Sequence, residues 1–432
     1  MAELDDVLQG RPTPAAWARL LQLLDPWPPG VALDAVEQAL ASWPVRVRAA
    51  TPEAWDAVRE GEPPAWWPLV RHVQLSPYDP LDSAEPLRRV TSLVFDADDE
   101  AFPVVSWLGE LTQLEVLDVS GLKGLSAFAE LPVLPALHTV IARGCPYLSD
   151  LAGLAAQPAL RTLDLSSADL SLELSTLPAL PALRSLRLDR SSITDLAPLA
   201  GLTGLVQLDL SECTEVSELA PLASCRALTW LKLTGIPDLR TAAPLGALTA
   251  LTTLWLDGAL ISDLSALVEL PLRELIVGAA ATVDTASIAA LTALEVLHLV
   301  DIAEVSLASL APSRLVDLYL IRCQRLADFA PLAQLAEVDS LHLDGLPALR
   351  DLTAVGAMPA LTSLQIYGCA ALSDVSGLTA AQRLEIFVLR NCPQVLDVSA
   401  VAALPTLKRI DVTGLPAANG LADLKARIRH QS

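Results

Sequence analysis

Residues 183–204 read LRSLRLDRSSITDLAPLAGLTG, and residues 361–382 read LTSLQIYGCAALSDVSGLTAAQ. Both open on one six-residue phrase, with apolar residues at positions 1, 4 and 6 and mostly polar ones between. With Val, Ile or Phe allowed at the Leu positions, fifteen clear copies begin between Val90 and Leu407 at steps of 21 to 24 residues, mostly 23; VRHVQL from Val70 adds a sixteenth. A self-similar period in this range is the mark of a stacked repeat, in which each unit hides an apolar face that it cannot bury alone. The alternation at the end of each hexamer predicts a short strand with one buried side. A return of this length starts the next strand alongside in parallel, with the usual right-handed sense.

Proline tests that frame independently, because it cannot donate to a strand ladder. The chain has 32 Pro, so about 7 would fall by chance in the 96 hexamer residues; none does. Pro178, Pro181 and Pro198 sit instead in the returns, which predicts 3₁₀ or extended turns there rather than long helices. Two further columns repeat. Eight residues after a motif start stand Cys145, Cys213, Cys323, Cys369 and Cys392, elsewhere mostly Leu, Ile or Ala. A ladder of buried, inert thiols explains five of the six cysteines. A redox or metal site is the alternative, with Cys369 and Cys392 the one pair on neighbouring rungs. Four or five residues later come Asp150, Asp195, Glu218, Asp263, Asp328, Asp351, Asp374 and Asp397. Carboxylates there are placed to cap a turn; calcium, the other reading, lacks its close D-x-D spacing.

These segments resemble leucine-rich repeats over roughly residues 69–414. The repeat length and the ITDLAPL return are similar to the phosphatase-regulator and bacterial internalin class, and the cysteine column to the cysteine-containing class found beside F-boxes. The resemblance implies an α/β solenoid: a right-handed leucine-rich-repeat horseshoe with a parallel sheet on the concave face, short 3₁₀ or turn returns on the convex face and a helical N-terminal cap. It also implies that proteins bind on the concave sheet. Two features depart from internalins. Neither a signal peptide nor a cell-wall anchor is legible, and Asn is absent from the ladder column.

Composition bounds the function. Hydrophobic residues make up 52% of the 432 but aromatics only 4%, as expected of many small identical core layers. A net charge of −22 opposes nucleic acid and anionic lipid and favours either simple solubility or a basic partner. Residues 275–294 are apolar enough to invite a membrane reading. Asp284 interrupts them, and they fit the repeat frame. The acidic start, MAELDDVLQG, is no export signal, so the cytoplasm is the expected location.

The ends differ from the array. Residues 1–68 hold Trp17, Trp27, Trp43, Trp55, Trp66 and Trp67, with helix starts at Thr13-Pro14 and Thr51-Pro52 and helical spacing over residues 31–40. Three short helices are expected, forming either a cap over the first rung or a separate docking module. Residues 415–432 are expected to close the other end with a helix bearing Lys425, Arg427 and Arg429.

Function then falls on positions 3, 5 and 7 of each unit, which project from the sheet. The earlier rungs alternate charge through Asp118, Arg143, Asp164, Arg187, Asp189, Asp209 and Lys232. Later rungs gather Trp230, Trp255, Ile276, His298, Tyr319, Ile321, His342 and Tyr367, with Asp257 beside them. Aromatic residues on a rigid sheet suit a binding hot spot, though strand-favouring residues also merely cover a sheet. The candidate partner-binding set is therefore Trp230, Trp255, Ile276, His298, Tyr319, His342, Tyr367, Asp209, Asp257 and Arg187. No phosphate-binding glycine loop occurs, and no Ser or Cys nucleophile pairs with His298 or His342. The expectation is a non-catalytic adaptor or regulatory subunit that binds another protein, with no cofactor, metal, nucleic acid or membrane. A sensor with a separate effector and a proteinaceous enzyme inhibitor are the alternatives.

Overall fold

A computed structural model describes residues 2–27, 33–76, 84–95, 106–168, 174–279, 283–311, 313–415 and 418–424. Two compact units divide the chain, residues 1–193 and 194–432.

The first unit opens with four helices, α1 (Ala2–Gln9), α2 (Pro14–Leu24), α3 (Asp34–Ala39) and α4 (Pro52–Arg59). Thr13 and Thr51 cap α2 and α4 as their sequence signals require, each accepting from the backbone N–H three residues on. Three helices are expected from the sequence; α1 is a fourth, its Leu4 buried despite the acidic residues around it. Five of the six tryptophans here are buried, and Trp27 is half-buried. Trp17 Nε1 donates to Ala49 O at 2.8 Å and Trp67 Nε1 to Pro86 O at 2.6 Å, so each large ring keeps its polar tip satisfied. Six strands follow: β1 (His72–Leu75), β2 (Ser92–Phe95), β3 (Val116–Asp118), β4 (Thr139–Ile141), β5 (Thr162–Asp164) and β6 (Ser185–Arg187). Each pairs in parallel with the next. Ala49 makes a parallel bridge to His72 ahead of β1.

The second unit carries ten more strands: β7 (Gln207–Asp209), β8 (Trp230–Lys232), β9 (Thr253–Leu256), β10 (Glu274–Gly278), β11 (Val296–Val300), β12 (Asp317–Ile321), β13 (Ser340–Asp344), β14 (Ser363–Tyr367), β15 (Ile386–Arg390) and β16 (Arg409–Thr413). Again each pairs in parallel with its successor. Every strand in both units begins at the third residue of its hexamer. Positions 4 and 6 point inward; Leu254, Leu256, Leu341 and Leu343, for example, are wholly buried.

Returns are short. Four are 3₁₀ turns with Pro second, Ala197–Gly201, Ala220–Ser224, Ala243–Ala247 and Ala330–Gln334, where the missing proline N–H costs nothing. Residues 275–294 divide between β10 and a helical turn, Thr285–Ala289. Among the described residues no helix is long and apolar enough to cross a membrane. The acid column caps these returns: Asp150, Asp195, Asp263, Asp328, Asp351, Asp374 and Asp397 each accept from the backbone N–H two residues on. Glu218, one carbon longer, makes no such bond.

All six cysteines are buried thiols. Cys145, Cys225 and Cys323 donate Sγ–H to carbonyls of the preceding repeat, at 3.2, 3.3 and 3.5 Å. Burial pushes the Cys145 thiol up to about 11 and the Cys369 thiol up to about 12. Cys369 and Cys392, the pair on neighbouring rungs, are both free thiols.

One regularity escaped the sequence. The residue after position 7 turns left-handed in fourteen successive repeats, from Gly121 to Gly414. Half are glycine. The others are Ser167, Arg190, Glu212, Ala279, Asp301, Arg322 and Asn391. The expected closing helix lies mostly outside the described residues, Lys425, Arg427 and Arg429 included.

Candidate functional site

The polar strand positions behave differently in the two units. In the first they satisfy one another. Asp118 accepts from Ser120, and Asp164 from Ser166 and from Arg143 Nε at 2.7 Å. Ser166 also donates to Asp189. Burial works to raise the Asp164 pKa, but the bonds from Arg143 and Ser166 outweigh it and hold this carboxyl below its usual range. Arg187 is exposed and stands 3.9 Å from the same carboxylate. Arg143, Asp164, Ser166 and Asp189 thus form one hydrogen-bonded network.

The second unit holds the rings. Position 5 of successive strands places Lys232, Trp255, Ile276, His298, Tyr319 and His342 side by side in register. Trp230 stands one position pair away on β8 and meets Trp255 edge-on, at 5.8 Å between centroids. The Lys232 ammonium lies 4.9 Å from the Trp255 ring centre, a cation–π contact. Trp255 Nε1 donates to Glu274 Oε1 at 3.0 Å. His298 stacks on Tyr319 at 3.8 Å, Tyr319 on His342 at 5.3 Å, and His342 on Tyr367 at 4.9 Å, with interplanar angles of 17°, 28° and 23°. Tyr367 comes from position 7 and donates its hydroxyl to Gln365; Arg390 lies 6.0 Å from its ring centre. All these rings are half-buried.

Burial is also the main influence on their chemistry. It drives the His298 pKa down to about 4, with His342 adding like-charge repulsion. His342 falls for the same reason, and burial raises the Tyr319 phenol. His298, Tyr319 and His342 therefore stack as neutral rings at pH 7.

Of the ten candidate residues, seven form this strip: Trp230, Trp255, Ile276, His298, Tyr319, His342 and Tyr367. Asp257 lies beside it at position 7, its carboxylate covering Gly278 so closely that a Cβ there would fall 2.0 Å from Oδ1. Asp209, expected on the exposed wall, is instead 4% exposed, accepting from both the N–H and the hydroxyl of Ser211. A short acid followed two residues later by Ser folds onto itself rather than reaching outward. Arg187 belongs to the first unit and not to this strip. Lys232, Glu274, Gln365 and Arg390 join the strip without having been singled out for it; their signal is the repeat register itself, which sets them beside a ring. Among the described residues no group of three or more His, Cys, Asp or Glu is placed to hold a metal ion.

Short parallel strands, one per 23-residue unit, with buried leucines on one side and turn returns on the other, define a leucine-rich-repeat protein. The family model for the leucine-rich-repeat domain of endo-beta-N-acetylglucosaminidase EndoS matches residues 177–321. A leucine-rich-repeat protein of Leptospira interrogans superposes with a TM-score of 0.55 at 17% identity, over 84% of this chain and 88% of its own. TLR13, solved in complex with ssRNA13, superposes at 0.51 and 16% identity over 80% and 60%. An internalin of Listeria monocytogenes is 22% identical over 80% of this chain and 88% of its own, with a TM-score of 0.49. These likenesses are of fold. No curated protein matches the chain in sequence.

Proposed function

We propose that this chain is a non-catalytic adaptor or regulatory subunit that holds another folded protein against the ring-bearing face of its second unit. The leucine-rich-repeat fold is generally a protein-interaction scaffold, and that supplies the class. The observation that carries the location is the stack His298–Tyr319–His342–Tyr367, half-buried on a rigid sheet. Rings fixed before binding lose little entropy on contact, which is what makes such residues interface anchors.

The N-terminal segment acts in this reading as a cap. Its support is the Ala49–His72 bridge, the Arg48 Nε bond to Leu69 O at 3.0 Å, and Glu37 on α3, which pairs with Arg71 and Arg89 beyond it.

The test is direct. Purify the natural partner with the native protein, then measure its affinity for Trp255→Ala with Tyr319→Ala. A loss of about tenfold or more, at unchanged melting temperature, is expected from two interface anchors. Unchanged affinity removes this face.

A further inference from the structure

The way the rings stack limits what can sit on them. Tyr319 has His298 against one face and His342 against the other; His342 is likewise held between Tyr319 and Tyr367. Arg390 lies over Tyr367 beyond it. The faces are therefore occupied by neighbours, and the strip offers ring edges and polar tips to solvent. A sugar or nucleobase bound by stacking needs an open face. A row of aliphatic side chains needs only the edges.

Charge on the two flanks narrows the occupant further. On one side lie Glu274 and Asp317, at position 3; on the other lie Asp257 and Asp344, at position 7. All four are half-buried, and none is ion-paired. Two arginines beside these strands are already engaged, Arg273 with Glu295 at 3.2 Å and Arg322 with both oxygens of Asp301 at 2.8 and 2.6 Å. Burial raises the Asp257 pKa, with Asp301 adding repulsion that Arg322 offsets in part. Two sparse acidic rows thus flank the ring strip, interrupted by Val296 on one side and by Gly278, Val300 and Ile321 on the other, and lie four residues apart along a strand, or about 13 Å.

We propose that the occupant is a cationic amphipathic segment of another protein: one row of aliphatic side chains lying along the ring edges, with arginine or lysine on both sides meeting the two acidic rows. This rests on the docking reading given above and adds the chemistry of the partner to it. An arginine there would gain charge-assisted bonds to carboxylates whose nearest acting cation, Arg322 for Asp257 and Asp344, is itself bonded to Asp301.

Three synthetic helical peptides test it by fluorescence anisotropy: a leucine row flanked by arginines, a twin with glutamates for the arginines, and a twin with serines for the leucines. The first is expected to bind the full chain, more weakly as salt rises. Asp317→Asn with Asp344→Asn should weaken it ~10-fold, and Tyr319→Ala should weaken it too. Glu60→Gln with Glu62→Gln, an equal loss of exposed charge on the first unit, should leave it unchanged. Equal binding by the serine twin, or an equal loss from the Glu60 and Glu62 pair, would show diffuse attraction to an acidic chain and overturn the proposal. Equal binding by the glutamate twin would overturn the charge assignment while leaving the docking face standing. If neither leucine peptide binds, the charge assignment fails. The docking reading fails with it only if the natural partner also ignores Trp255→Ala with Tyr319→Ala.

Discussion

At Gly258 the backbone has φ +84°, and a Cβ added there would fall 2.9 Å from both N and Cα of Gly235 one repeat earlier. Gly258→Ala should therefore destabilise the protein by about 1–3 kcal/mol, since backbone cannot move aside as a side chain does. Ala279 occupies the equivalent position with φ +57°. Ala279→Gly should be neutral or stabilising by up to about 1 kcal/mol, the left-handed strain relieved offsetting the entropy glycine loses. Chemical denaturation of both variants checks the pair; a stable Gly258→Ala would show that the turn can rearrange. The left-handed position was not legible in the sequence because half its occupants are ordinary L residues held there by the strand before and the return after. The cysteine column was legible, because the site is filled by an apolar residue or a thiol in most repeats. With all six thiols buried and at least two pushed far up, native protein should resist aromatic disulfide reagents and react fully only on unfolding. Rapid labelling of a native thiol would contradict the inert ladder.

At the scale of one strand, the hexamer decides nearly everything. Each begins its strand at position 3 and, apart from the half-buried Val412 of the last strand, buries positions 4 and 6, so the alternation fixes register and face together. What it leaves open is how outward side chains settle among themselves. Asp209 and Tyr319 both occupy position 5, yet Asp209 folds onto Ser211 while Tyr319 enters a stack. Nothing within one hexamer separates them; the neighbouring rungs do. The stack also carries a pH dependence. The His298 pKa in the folded protein is depressed from 6.5 to about 4, so the unfolded chain binds more protons between those values. Stability should therefore fall as pH drops from about 6.5 towards 4, by about 1–2 kcal/mol after solvent screening. His342, shifted the same way, adds to it. Asp257 and Asp339, both raised, act in the opposite sense at the acid end of that range. Melting curves at pH 7 and pH 5 should show a larger drop for the native protein than for His298→Gln. An equal drop would place the acid sensitivity elsewhere.

Over the whole molecule, charge is the dominant long-range term. A net charge of −22 with most ion pairs at the surface predicts that repulsion outweighs attraction, so added salt should stabilise. Raising salt from about 0.05 to about 0.5 M should raise Tm; a fall would mean that pairs such as Arg143–Asp164 contribute more than the excess acid costs. Part of that excess, Glu274, Asp317, Asp257 and Asp344, borders the rings of the second unit. The central claim is that the partner lies on those rings. Hydroxyl-radical footprinting of the natural complex reads aromatic side chains individually and tests it most directly. Protection is expected at Trp255, Tyr319, His342 and Tyr367, with Tyr147, 64% exposed on the first unit, still labelled as in the free protein. Unchanged labelling of the four rings, with protection appearing elsewhere on the chain, would contradict it.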